Sequence, residues 1–374
     1  MKQIKFLIAL LIIASTYSCT SDFDEVQVSP TESQAISDPD GIEVMEYSNS
    51  NILSKGRGFS FNNTNVSFLS FPSISVFRRT ITLLEARATY HDDQFIAANA
   101  NLNDDQLSQL EIEIGFNPYE PLERFGSSYN FNDSMLKDYI EAENNWLGKR
   151  ELDIENDPDK KFFHLEEEEL AVLNRDGVVK IGNSIYKIIK GGYFEITDGN
   201  LQTLTKLIEN RVNPCEEQLS KNEYPNVNVV SDCGGGGGGP TPTYCMQSRD
   251  ARDHWTFGGD KMMKEEVVLV KSPLWGTKIK SKTKFFKKRW PGIFYRYRSD
   301  LVAALNGKYD RETSDCGEFA FEFDEKIHRE TKHHKSKVKY KYEVNESYQN
   351  IYIKPGKVTG YHYQRSNLRT QPLD

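Results

Sequence analysis

The sequence predicts a multidomain protein: an α+β N-terminal domain, mostly helical with a small antiparallel β-meander, then an all-β, sandwich-like C-terminal domain. Three observations predict it. Apolar residues recur at three-and-four spacing over much of the stretch between residues 75 and 173. Six consecutive glycines, Gly234–Gly239, interrupt the chain beside Pro240 and Pro242. Beyond residue 245, β-branched and aromatic residues alternate in short runs separated by turn residues.

The length of 374 residues suits two domains or three small ones. Nineteen tyrosines and 21 phenylalanines are too many for a disordered chain, and a mean hydropathy of −0.63 excludes a polytopic membrane protein. The net charge of −8 averages two opposite halves. Residues 240–374 hold 27 Lys and Arg against 17 Asp and Glu, net +10, which leaves 20 against 38, net −18, in residues 1–239.

The first element is an N-terminal signal, residues 1–18. Two lysines precede an unbroken apolar run from Phe6 to Ala14. Nine residues make about 14 Å of helix, roughly half the hydrocarbon thickness of a bilayer, so the run inserts as a signal core and does not span. Cys19 directly after Ser18 resembles the lipobox of bacterial lipoproteins, which implies a diacylglycerol on its thiol, palmitate-type acylation of its amine, and anchoring to the outer membrane. Ser21, Asp22, Phe23, Asp24 and Glu25 resemble the surface-export signal of Bacteroidetes lipoproteins, particularly the flavobacterial version, and imply display on the cell exterior.

Residues 19–50, rich in Ser, Asp, Glu and Pro, read as a disordered acidic tether. Residues 51–212 form the predicted helix-rich α+β domain. Phe59 and Phe61 alternate as in a short strand, and a helix is expected from Ser75 to Ala100 through Val76, Phe77, Ile81, Leu84 and Ala88. Asn103 caps a second helix that Gly115 closes; a third runs from Asp133 to Leu147, and Leu165–Leu173 adds an acidic helical turn or two. The turns Asn174–Gly177, Gly182-Asn183 and Gly191-Gly192 punctuate three β-branched runs, predicting the meander, and Asn200–Arg211 returns to helix. The segment LNRDGVVKIGNSIYKI resembles a stretch of uncharacterised Bacteroidetes surface lipoproteins with domains of unknown function, a resemblance that implies no activity.

Residues 213–244 read as a Cys/Pro/Gly-rich linker, because polyglycine offers no side chains to pack. Residues 245–374 form the predicted basic antiparallel β domain, with strands at Glu265–Lys271, Thr277–Phe286, Ile293–Arg298, Gly317–Asp324, Lys335–Val344 and Ile351–Ile353. Turns are expected at Trp290-Pro291-Gly292, Asn306-Gly307 and Lys354-Pro355-Gly356.

Beyond Cys19 the cysteines are Cys215, Cys233, Cys245 and Cys316, an even number in a chain bound for an oxidising compartment. Four cysteines permit three pairings, of which Cys215 with Cys233 and Cys245 with Cys316 is preferred. No CxxC motif is present, and no metal or cofactor is expected. Asp153, Glu155, Asp157 and Asp159 place oxygens at every second position, but Pro158 and His164 stand where a calcium loop needs Gly and Glu, so a solvated loop is expected. His328, His333 and His334 are expected in an exposed hairpin loop spanning residues 325–334.

Lysines at period two carry the sharpest functional signal. Lys278, Lys280, Lys282 and Lys284 line one face of a strand, as do Lys335, Lys337, Lys339 and Lys341. The second set is expected to pair across the hairpin with Glu318, Glu322 and Asp324. The first set has no acidic partner nearby in sequence and is the candidate ligand face, suited to an acidic glycan or another polyanion without specific nucleic-acid recognition. No GxSxG, HExxH, phosphate-loop or dinucleotide motif occurs. These readings favour a surface lipoprotein acting as a non-catalytic binding module. A secreted hydrolase with an unrecognised site, or an accessory subunit of an outer-membrane assembly, are the alternatives.

Overall fold

A computed structural model describes residues 38–55, 58–189, 192–212, 219–220, 222–231, 249–257, 259–270, 274, 277–311, 321–342, 351–352 and 356–373. The expected signal at residues 1–18, Cys19, the residues Ser21–Glu25, the polyglycine run and Cys215, Cys233, Cys245 and Cys316 lie outside the described residues.

The first body is built on a six-stranded sheet in the order β1 (Glu43–Lys55), β2 (Gly58–Phe71), β3 (Val178–Ile181), β4 (Ser184–Ile189), β5 (Gly192–Ile196) and β6 (Val227–Ser231). All neighbours are antiparallel except β2 and β3, which run parallel through Ser70↔Lys180 and Phe71↔Ile181. The crossover between those two strands carries the helices α1 (Ile74–Ala98), α2 (Asp104–Ile114), α3 (Glu120–Ser128), α4 (Met135–Leu147), α5 (Pro158–Lys161) and α6 (Glu167–Val172). Alternation along the strands sends Leu69, Phe71, Val179 and Ile181 into a core with these helices. Val66, Phe68, Val178, Phe194 and Ile196 face the other way, against Leu204 and Leu207 of α7 (Leu201–Glu209).

Local chemistry explains the helix ends. The Ser73 hydroxyl accepts from Val76 N to start α1, and Asn103 with Gln106 forms a reciprocal capping box on α2. Gly115 ends α2 at φ 65°, the left-handed conformation glycine adopts without penalty. The meander and the helices after Asn103 and Asn200 agree with the sequence reading, whereas α3 has no counterpart there. Its nine residues bury Leu122 and Phe125 but end in Gly126-Ser127-Ser128, a combination that reads as loop.

Two boundaries differ from expectation. Residues 43–50, expected in the tether, belong to β1, paired with β2 from Glu43↔Ser70 onward. Val227–Ser231, expected in the linker, forms β6 and pairs with β5.

The second body has two antiparallel sheets. One runs β10 (Ile293–Arg296), β9 (Thr277–Arg289), β8 (Lys261–Val270), β7 (Arg249–Phe257), with β13 (Lys335–Tyr342) also on β9. The other runs β12 (Phe321–His333), β11 (Ser299–Arg311), β15 (Val358–Gln364), β16 (Asn367–Pro372), with β14 (Ile351–Tyr352) on β11. Val267, Leu269, Ile279, Ala303, Leu305, Val338 and Val358 meet between them. Mixed helices and antiparallel sheets thus make an α+β chain.

Asn306-Gly307 is not a turn. β11 continues through it with a register shift, and a Cβ on Gly307 would lie 2.8 Å from the Lys357 carbonyl oxygen, so close backbone approach explains the glycine. The expected hairpin loop at 325–334 is also absent: β12 extends to His333, and His334 alone separates it from β13. At that corner the chain changes sheets, β12 pairing with β11 and β13 with β9. Glu322 therefore stands opposite Lys308, not opposite the β13 lysines.

Candidate functional site

The period-two lysines of β9 and β13 are neighbours. Lys284 stands opposite Lys335, Lys282 opposite Lys337, Lys280 opposite Lys339 and Lys278 opposite Lys341. β8 adds Lys264 opposite Lys284 and Glu266 opposite Lys282. Like charges directly opposite destabilise a sheet, so this face needs compensation from elsewhere.

Compensation comes from the acidic body. Relative exposures of 2%, 0%, 2% and 5% place Lys278, Lys280, Lys282 and Lys284 in the interior, which corrects their assignment as a ligand face. The covering segment is 157–169, whose acids are buried with them. Lys278 Nζ donates to both Glu169 oxygens at 2.6 and 2.7 Å. Lys280 donates to Glu166 at 2.5 Å and to the His164 carbonyl at 2.8 Å. Lys284 meets the Tyr139 hydroxyl at 2.8 Å, Asp159 at 3.2 Å and Glu143 at 3.4 Å. Lys264 bridges Asp157, at 2.6 Å, and Asp159. Lys282, at the centre, makes no hydrogen bond among the described residues and lies 3.5 Å from Asp159 and 3.8 Å from Glu166.

Three β13 lysines do the same. Lys335 reaches Glu167 at 3.1 Å, Lys337 reaches Glu85, Glu166 and Glu168 at 3.0, 3.2 and 3.3 Å, and Lys339 reaches Glu85 at 2.5 Å. Their partners are the helical-body acids, which replaces the expected hairpin pairing with β12.

The segment is held for this task by its own turns. Asp157 caps α5, its carboxylate accepting from Asp159 N at 2.9 Å, and Glu166 with Glu169 forms a capping box on α6. Asp153 and Glu155 stay exposed while Asp157 and Asp159 are buried, so only the first half of the expected solvated loop is solvated. Glu166, Glu167 and Glu168 bring carboxylate oxygens within 4.8 Å of one another, but ammonium groups of Lys280, Lys335 and Lys337 face them.

Electrostatics keep these groups ionised. Burial alone would raise the Glu143 carboxyl, but Arg296 and Lys284 beside it bring it down to about 2. Lys264, Lys282 and Lys284 likewise hold Asp159 well below the usual carboxylate range against its burial, and Lys280, Lys282 and Lys337 do so for Glu166. Burial would lower the Lys282 and Lys284 ammoniums, yet Asp159 and the surrounding glutamates raise both. Two groups go the other way: burial outweighs the lysines beside Glu168 and raises it, and it outweighs Glu169 at Lys278 and lowers it.

A second contact flanks the first. The fully buried Arg298 donates to Asp92 and Glu111, each at 2.6 Å, with its guanidinium 4.9 Å from the Phe95 ring centroid and 5.5 Å from that of Phe116. His334 is buried nearby and held well below the usual histidine range by that burial, while His333 lies 3.4 Å from Asp92 and 3.2 Å from Glu330. Neither is the exposed loop histidine expected from the sequence. Trp146 and Leu147 pack on Met262, Phe286 and Phe294, adding an apolar edge.

Sequence reasoning found the lysine alternation but not its partners, which lie more than 100 residues away. The available signal was the charge asymmetry of the two halves. An open cleft of about 510 Å³ elsewhere contains Glu46, Asp133 and Tyr129; Arg175 and Ser67 donate to Asp133, and Asn65 to Glu46. Comparison of the chain with protein-family models, curated proteins and solved structures finds no significant match.

Proposed function

We propose that the chain is a lipid-anchored protein of the bacterial outer membrane, displayed outward through Cys19 and Ser21–Glu25, and that it works as a non-catalytic interaction module. In this reading an acidic helix-rich body precedes a basic β-sandwich, similar to uncharacterised flavobacterial-type surface lipoproteins. One observation carries the non-catalytic part. The densest gathering of ionisable side chains among the described residues, around Lys280, Lys282, Asp159 and Glu166, is closed to solvent and answered by opposite charges. General acid–base work needs a group that exchanges protons near the working pH and reaches a substrate. Here the Asp159 and Glu166 carboxylates are held ionised, the Lys282 ammonium is held protonated, and all are buried, so the cluster fastens two bodies together.

The anchoring part is tested in cells. A palmitate analogue is expected to label the protein, Cys19→Ala to abolish the label, and protease added to intact cells to remove the protein. An unlabelled mature chain would refute the anchor, and a labelled but protease-protected chain would place it on the inner leaflet.

A further inference from the structure

We propose that the outer end of the β9–β10 hairpin binds acidic polysaccharide, Trp290 giving a stacking platform and Lys288 and Arg289 the counter-charges. This rests on the reading of the chain as a binding module and moves its polyanion contact off the buried strand face. Trp290 is 94% exposed, far beyond any other large apolar side chain among the described residues. It sits in the turn Trp290-Pro291-Gly292, closed by Gly292 N donating to the Arg289 carbonyl.

The adjoining cations are held but not neutralised. Lys288 Nζ lies 4.8 Å from the Phe294 ring centroid, and the Arg289 guanidinium lies 6.0 Å from that of Tyr295. Lys287, one residue inward, is engaged by Asp105 at 2.6 Å. No carboxylate among the described residues lies within ion-pair distance of Lys288 or Arg289. The hairpin end therefore combines a bare indole with two uncompensated positive charges.

That combination selects among ligands. A neutral sugar would leave both cations unused. A lipid surface is ordinarily met by several apolar side chains, whereas here Phe294 is buried and Ile293 partly so. An acidic sugar chain offers C–H faces to the indole and carboxylate or sulfate groups to a guanidinium, which binds such groups in a bidentate fork.

The test is affinity electrophoresis of the full mature chain in gels containing polygalacturonate, heparin or neutral dextran, with flotation on mixed phosphatidylcholine–phosphatidylglycerol vesicles in parallel. Retardation by at least one polyanion and not by dextran is expected. Trp290→Ala and Arg289→Gln are expected to weaken it about tenfold, while Lys206→Gln, the same charge loss as Arg289→Gln at an exposed position of α7, leaves it unchanged. Matching thermal midpoints establish that the variants fold. Retardation unaffected by Trp290→Ala and Arg289→Gln, or no retardation by either polyanion, overturns the proposal. Trp290-dependent flotation without retardation also overturns it and assigns the hairpin end to a lipid surface. Failure here with surface display intact removes this site alone; tip-dependent binding by a chain that is not displayed removes the anchor reading alone.

Discussion

Replacing Asp159 with Asn lowers folding stability by about 3–5 kcal/mol, the range for removing one partner from a buried ion pair. Asp159 is 1% exposed and faces Lys264, Lys282 and Lys284 together, while the Tyr139 hydroxyl donates to it at 3.0 Å. Asparagine keeps the shape and one carbonyl oxygen but removes the charge that those ammoniums share. Lys282 suffers most, because it makes no hydrogen bond among the described residues and its other ion-pair partner, Glu166, is 3.8 Å away. Asp153→Asn in the same acidic stretch provides the contrast. Asp153 is exposed and caps Glu155 N, a role asparagine also fills, so its cost stays within about 0.5 kcal/mol. Urea unfolding measures both; a loss below about 1 kcal/mol for Asp159→Asn would show that this interface does not hold the fold.

Acid dismantles the same interface. Glu143 is held at about 2 in the folded chain against an ordinary 4.5, and Asp159, Glu166, Glu167 and Glu266 are also depressed by the lysines and Arg296 around them, against the effect of burial. Between those values and the ordinary carboxylate range the unfolded chain binds more protons than the folded one. The stability these carboxylates contribute is therefore fully present above about pH 5 and falls as pH drops toward 2. The Glu143 shift alone corresponds to about 3 kcal/mol across that window. Glu168 and Glu111, raised by burial, work in the opposite sense but are outnumbered. Raised lysines such as Lys284 and Lys337 contribute stability that is complete below about pH 10 and lost only above it. Urea midpoints at stepped pH are expected to fall steeply from pH 5 to 3 and to stay level between pH 7 and 9. A flat acid limb would contradict the ionised interface.

How much of this could be read from sequence depended on the range of the interaction. Caps and turns are local: Asn103, Gly115 and the turns around Gly177 and Gly182 mark the elements the structure shows, because a few adjacent residues decide them. The period-two lysines were equally legible as strand faces. Whether such a face meets water or protein is a tertiary fact, and nothing near Lys280 in sequence announces Glu166. A four-glutamate run reads as a solvated helical turn, and only the fold, which seats it over β9, turns it into a counter-ion. The opposite charges of the two halves were the global trace of that pairing. Strand β11 failed for the converse reason: Asn306-Gly307 carries strong turn chemistry, but β12 and β15 flanking that strand override it.

That the acidic and basic halves neutralise each other in a buried interface is tested most directly by acetylating lysines in the native protein and reading the sites by peptide mass spectrometry. Lys278, Lys280, Lys282 and Lys284 should stay unmodified at a reagent dose that saturates the exposed Lys137, Lys149 and Lys206, and should react once urea unfolds the chain. Acetylation of the four at the rate of Lys206 in the folded protein would contradict the interface and return the β9 face to solvent as an open polyanion-binding surface.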